Sequence, residues 1–137
     1  MATREEISRF LATDFPQCKC RVEACGRSGA TVRRAIGEPD LRPGGTVSGP
    51  VMMEVADAAL YVALLAEIGI VPMAVTTNLT ISYLRRPSAE RDLIGVCRLL
   101  KVGRTLAMGE VTLYSDGDPA PVAHATGTYA LPPTARR

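Results

Sequence analysis

Residues 44–69, GGTVSGPVMMEVADAALYVALLAEIG, decide the fold. Met52, Met53, Val55, Ala56, Ala58, Ala59, Leu60, Val62, Ala63, Leu64 and Leu65 leave this stretch without a polar face, so it reads as a helix buried nearly all round. Pro50 suits the first helical turn, where its missing N–H costs nothing, and Ser48 or Gly49 can serve as the N-cap. The helix should run from Pro50 to Ile68 and stop at Gly69. Its only charges are Glu54, Asp57 and Glu67.

Working outward, residues 37–50, GEPDLRPGGTVSGP, are too polar and too rich in breakers for regular structure and read as a loop. Before it, residues 19–36 alternate like strands around a turn at Gly26–Gly29, and residues 3–11 place Ile7, Phe10 and Leu11 on one face of a short helix capped by Thr3. After the long helix, residues 73–84 alternate as a strand. Val75, Leu79, Ile81 and Tyr83 face one way, Thr76, Asn78, Thr80 and Ser82 the other, and Thr77 interrupts the apolar row. Pro87 ends it, and residues 92–102, 105–115 and 121–131 supply three more strands joined by hairpins. The tail, residues 132–137, should fray. This order argues an α+β fold in which one antiparallel sheet covers one long helix, within a single domain spanning 1–137 and a core from about 18 to 131.

The chain has 137 residues, 47% of them hydrophobic, with two Phe, four Tyr and no Trp, so the core is built mainly from aliphatic side chains. A net charge of +2, with no basic run, gives no case for nucleic acid, and no apolar stretch is long enough for a membrane span. The N-terminus has no apolar signal region, so a cytoplasmic location is expected. Cys18, Cys20, Cys25 and Cys97 then read as reduced. The single histidine, His124, lies far from them, which disfavours a metal site; no metal or cofactor is expected.

Two features carry the chemistry. A carboxylate within an apolar helix is costly to bury, so Asp57 either pairs structurally or has a chemical task, while Glu54 lies nearer the helix start and reads as structural. The Gly-rich entrance to the same helix leaves free N–H groups at the positive end of its dipole, suited to an anion or a developing oxyanion.

Together these features resemble the active site of the hotdog-fold acyl-CoA thioesterases, in particular the phenylacetate-pathway (PaaI-like) group. That group opens its central helix with N-x-x-G-x-x-H-G-G and places an Asp or Glu nine residues after the His. Here Arg42-Pro-Gly-Gly-Thr-Val-Ser48-Gly49-Pro50 occupies the stretch, with Asp57 nine after Ser48. The segment Thr77–Pro87 is similar to the family's strand ending in F-L-R-P, and His124–Tyr129 to its last strand. The resemblance implies a hotdog fold and hydrolysis of an acyl-CoA-type thioester. Asp57 would act as nucleophile or general base, the Gly49 N–H would polarise the carbonyl, and Thr76 would help hold the attacking water. It also implies at least a homodimer, with homotetramers left open, because glycine and carboxylate come from different subunits. Ser48, Pro50 and Arg42 depart from the pattern. Arg42 could pair with Asp57 and blunt it, which keeps a non-catalytic acyl-CoA-binding protein as the alternative. Arg85 and Arg86, with Arg91, Lys101 and Arg104 at other strand ends, are candidates for the coenzyme phosphates, and Arg42 and Ser48 at the helix entrance are further substrate-binding candidates. A hydratase would want a catalytic His, and His124 lies in the last strand, away from Asp57.

Overall fold

The computed structural model describes residues 1–133, so residues 134–137 of the tail expected to fray lie outside the described residues. Helix α1 (Arg4–Asp14) starts at a full capping box: Glu6 N donates to Thr3 Oγ1 at 3.1 Å and Thr3 N to Glu6 Oε1 at 2.8 Å. Strands β1 (Arg21–Gly26) and β2 (Gly29–Arg34) form the expected hairpin, with Ser28 in the left-handed region at φ 66°.

The segment expected to be a plain loop is more ordered than its composition suggests. A 3₁₀ turn (Glu38–Asp40) leads into a small hairpin of β3 (Leu41–Arg42) and β4 (Thr46–Val47), whose turn uses Gly44 and Gly45 at positive φ. Arg34 explains this order. It is 2% exposed, donates to Asp40 Oδ1 at 3.0 Å and to Glu54 Oε2 at 3.2 Å, and so ties the 3₁₀ turn to the helix that follows. Ser48 N then donates to Asp40 O at 3.0 Å, fixing the helix entrance.

Helix α2 (Gly49–Ile68) is capped by Ser48, whose Oγ accepts from Val51 N, and ends at Gly69 with φ 99°. Strands β5 (Val75–Tyr83), β6 (Leu93–Val102), β7 (Leu106–Ser115) and β8 (Pro121–Ala130) follow. The main sheet is antiparallel, six-stranded, in the order β1-β2-β6-β7-β8-β5, and it wraps α2 as the hotdog resemblance implies. Contact is close: a Cβ on Gly127 of β8 would meet Leu60 Cδ1 of α2 at 2.5 Å, and one on Gly109 of β7 would meet Leu60 Cδ2 at 2.8 Å. Among the described residues no helix is long and apolar enough to cross a membrane.

Two expectations need correction. Helix α2 is not covered all round: Pro50, Met53, Glu54, Asp57, Ala58 and Tyr61, at helical spacing, form a partly exposed stripe. The alternation assigned to β5 also fails at its start. Thr76 pairs with Tyr129 and Asn78 with Thr128, so Thr77 is an extra, bulged residue. The bulge shifts the register by one, turning Thr76 toward α2 together with Leu79 and Ile81, while Val75 is 55% exposed.

Candidate active site

Asp57 projects from the uncovered stripe of α2, half-buried. Its Oδ1 accepts from Thr76 Oγ1 at 2.7 Å and from Tyr129 OH at 2.8 Å; the same phenol lies 3.3 Å from the Asp57 carbonyl oxygen. Each donor has a structural reason to be there. The Thr77 bulge presents Thr76, and register pairing with Thr76 sets Tyr129 beside it on β8. Burial, and then the Asp57 charge, push the Tyr129 phenol up, so it stays protonated and donates. Among the described residues Oδ2 has no hydrogen-bond partner, whereas Oδ1 accepts twice.

Two cavities meet at this carboxylate. One, about 230 Å³, lies between α1 and α2 and is walled by Leu11, Phe15, Ala58, Tyr61, Val62 and Tyr129. The other, about 380 Å³, extends past Thr76 and Val75 toward β5. Tyr61 stacks on Tyr129 at 5.9 Å between centroids, and Phe15 meets Tyr61 edge-on at 6.4 Å.

Gly49 opens α2, and as the first helical residue its N–H has no carbonyl within the helix to receive it. Tyr83 of β5 donates to Gly49 O at 3.2 Å, and a Cβ on Gly49 would come within 3.1 Å of that phenol oxygen. Eight residues separate Gly49 from Asp57, about 12 Å along the axis at 1.5 Å per residue, so within one protomer they cannot address one carbonyl group. Ser48 serves as the helix cap.

Arg42 does not pair with Asp57 within the protomer. It sits on the β3–β4 hairpin and lines a separate cleft of about 410 Å³ with Arg85, Arg86, Gly44, Met52 and Tyr83. Arg85 is steadied there by donating Nε to Pro121 O at 3.0 Å. The wider basic set is split rather than gathered. Arg91 donates to Asp116 O at 3.2 Å at the end of β7, whereas Lys101 and Arg104 flank the other end of the β6–β7 hairpin, roughly 30 Å away along ten-residue strands. His124 lies 3.0 Å from Glu110 Oε1, and an odd five-residue step along β8 puts it on the opposite face from Tyr129. Glu54 is bound by Arg34. The four cysteines are free thiols.

Sequence reasoning missed Tyr129, Tyr83 and Arg34. Tyr129 offered a faint signal, a polar-tipped aromatic directed to the buried face of a strand.

A model of the thioesterase superfamily matches residues 44–122, a span that holds Gly49, Asp57 and Thr76. A crystal structure of a candidate thioesterase from a Silicibacter species is 44% identical, with 96% of this chain and 92% of that one covered and a TM-score of 0.88. Thioesterase superfamily member 2 from zebra fish is 21% identical over 96% of this chain and 100% of its own, with a TM-score of 0.84. A point mutant of the phenylacetic acid degradation protein PaaI from Thermus thermophilus is 22% identical over 86% of this chain and 97% of its own, with a TM-score of 0.74. No curated protein sequence matches significantly.

Proposed function

The chain belongs to the thioesterase superfamily, and from that premise we propose that it hydrolyses an acyl-CoA-type thioester to a free acid and a thiol, with Asp57 as the central carboxylate. One observation carries this reading: Thr76 and Tyr129 both bind Oδ1 of Asp57 at the mouth of an apolar cavity, which fixes the carboxylate and leaves Oδ2 for the reaction. Oδ2 takes a proton from water as the water attacks the thioester carbon, or attacks that carbon itself to give an anhydride that water then opens. Thr76 Oγ1, its proton given to Asp57, would steady the attacking water by accepting a hydrogen bond from it. In either route the carbon–sulfur bond breaks and the thiolate is reprotonated.

The developing oxyanion needs a donor, and the Gly49 N–H at the positive end of α2 suits it. Since Gly49 and Asp57 lie about 12 Å apart in one chain, the donor comes from a second protomer. A homodimer is supported by Met53, exposed at the entrance end of the α2 stripe, and by β5, an edge strand with Val75, Tyr83 and Leu84 exposed along it. Arg42, Arg85 and Arg86 line one cleft beside the α2 entrance, where they would bind the coenzyme's phosphates. Ser48 acts by capping that entrance.

The test is thiol release from acyl-CoA by wild type, Asp57→Asn and Gly49→Pro, the last removing one N–H in the first helical turn, where proline suits the backbone and the half-exposed Tyr83 ring gives way to its Cβ. Each variant alone should lose nearly all turnover while remaining a folded dimer by light scattering. Mixed and re-equilibrated, they should regain roughly a quarter of wild-type activity, because about half the dimers are then mixed and carry one intact site. Near-normal turnover by Asp57→Asn refutes the assignment. Ligand-induced thermal stabilisation without thiol release by wild type would identify a binding protein instead.

A further inference from the structure

We propose that α1 is the substrate-selecting element of this protein: its last turn roofs an apolar pocket beside Asp57 that accepts an acyl group of up to about ten carbons and excludes longer chains. This rests on the thioesterase reading above.

The distribution of aromatic side chains is the first ground. The sequence has two Phe and four Tyr, and both Phe with two of the Tyr gather at Asp57, although the core elsewhere is aliphatic. Phe10 and Phe15 come from α1 and its C-cap, Tyr61 from α2 and Tyr129 from β8. Phe15 is 38% exposed and Tyr61 is half-buried, so this cluster is an apolar wall with one side open, which an apolar ligand would complete.

Size is the second ground. The pocket between α1 and α2 measures about 230 Å³. At the packing density of a protein interior, about 0.74, this volume takes roughly ten methylene-sized groups. A palmitoyl chain needs at least half as much space again. The neighbouring cavity past Thr76 leads toward β5 and suits the thiol arm and the water. Asp57, Phe15, Tyr61 and Tyr129 border both, so a thioester laid across them brings its carbonyl to the carboxylate.

The experiment compares kcat/KM for butanoyl-, hexanoyl-, octanoyl-, decanoyl- and palmitoyl-CoA in wild type, Ala58→Leu and Phe15→Ala. In parallel, thermal stabilisation of Asp57→Asn by the same esters is measured, alone and combined with each pocket variant. Wild type should peak at octanoyl or decanoyl and fall by about tenfold or more at palmitoyl. Ala58→Leu fills the pocket and should move the peak to shorter chains; Phe15→Ala opens it and should move the peak to longer ones. Turnover that continues undiminished to palmitoyl, with both variants unshifted, overturns the pocket while leaving thioester hydrolysis intact. If no ester is hydrolysed, the thioesterase reading fails, and the stabilisation series still decides: a length optimum shifted by the variants supports the pocket, and a flat series overturns it. Phe15 is partly exposed, so Phe15→Ala gives a folded comparison even if Ala58→Leu does not.

Discussion

Tyr129→Phe removes a single oxygen and keeps the ring, so the stack on Tyr61, 5.9 Å between centroids and 17° between planes, should survive. The lost atom binds Asp57 Oδ1 at 2.8 Å. A hydrogen bond to a charged group contributes about 1.5–3 kcal/mol, but Thr76 still holds the same oxygen at 2.7 Å, so part of the orientation remains. A loss of about 1–2 kcal/mol in transition-state stabilisation is expected, roughly a five- to thirtyfold fall in kcat. KM should stay within about twofold, because the hydroxyl binds the carboxylate rather than the substrate. Thr76→Val should fall by a similar factor. The double variant should lose more than the product of the two, since either donor alone can fix Oδ1 and the second removal frees it. Thiol release under saturating and limiting ester, with melting temperatures as a check on folding, reads all three. A Tyr129→Phe protein with unchanged kcat, or a double variant that is merely additive, would refute the shared-oxygen argument. A raised KM with normal kcat would move the hydroxyl onto the substrate.

Arg34 holds the Asp40 carboxyl below its ordinary 3.8, so the unfolded chain binds the extra proton and the pair's stabilisation is complete above that value and lost as pH falls through the lowered one. Asp40→Asn should therefore cost about 1–3 kcal/mol in urea unfolding at neutral pH. The gap to wild type should close below about pH 4, and a gap unchanged at about pH 3 would contradict the pairing. Cys18 borders the pocket between α1 and α2, and its hydrogen bonding with Cys20 lowers its thiol from the usual range, while burial pushes Cys25 and Cys97 up. Iodoacetamide should modify Cys18 before the other three, and bound acyl ester should slow it; mass spectrometry of the labelled peptides reports both.

Features that depend on local pattern were legible in the sequence, and features that depend on distant pairing were not. The apolar run, Pro50 and Gly69 mark both ends of α2, because caps and helical period are short-range properties. Asp57 stood out since a carboxylate in such a run demands an explanation. The covered and uncovered faces of α2 could not be told apart: Met53 and Ala58 are as apolar as Val55 and Ala59, and only the sheet's position decides which are sheltered. Arg34 could not be singled out, because its partners, Asp40 and Glu54, lie on elements that meet it only in the fold. Thr76 was named through resemblance, yet strict alternation aimed it away from the helix.

The extra residue at Thr77 makes the site a matter of parity. A strand sorts its side chains by odd and even count, and the bulge changes that count between Thr76 and Asn78. Substituting Thr77 leaves the count intact, so a scan by point mutation would score the position as tolerant. Deleting it leaves composition and apolar content almost unchanged but swaps the two sides for everything N-terminal to it on β5: Val75 turns in against Asp57 and Thr76 turns out to solvent. The information that delivers a hydroxyl to the carboxylate therefore resides in the length of the chain between two pairing points, and divergence by single-residue insertion or deletion is a shorter route to silencing this chemistry than divergence by replacement.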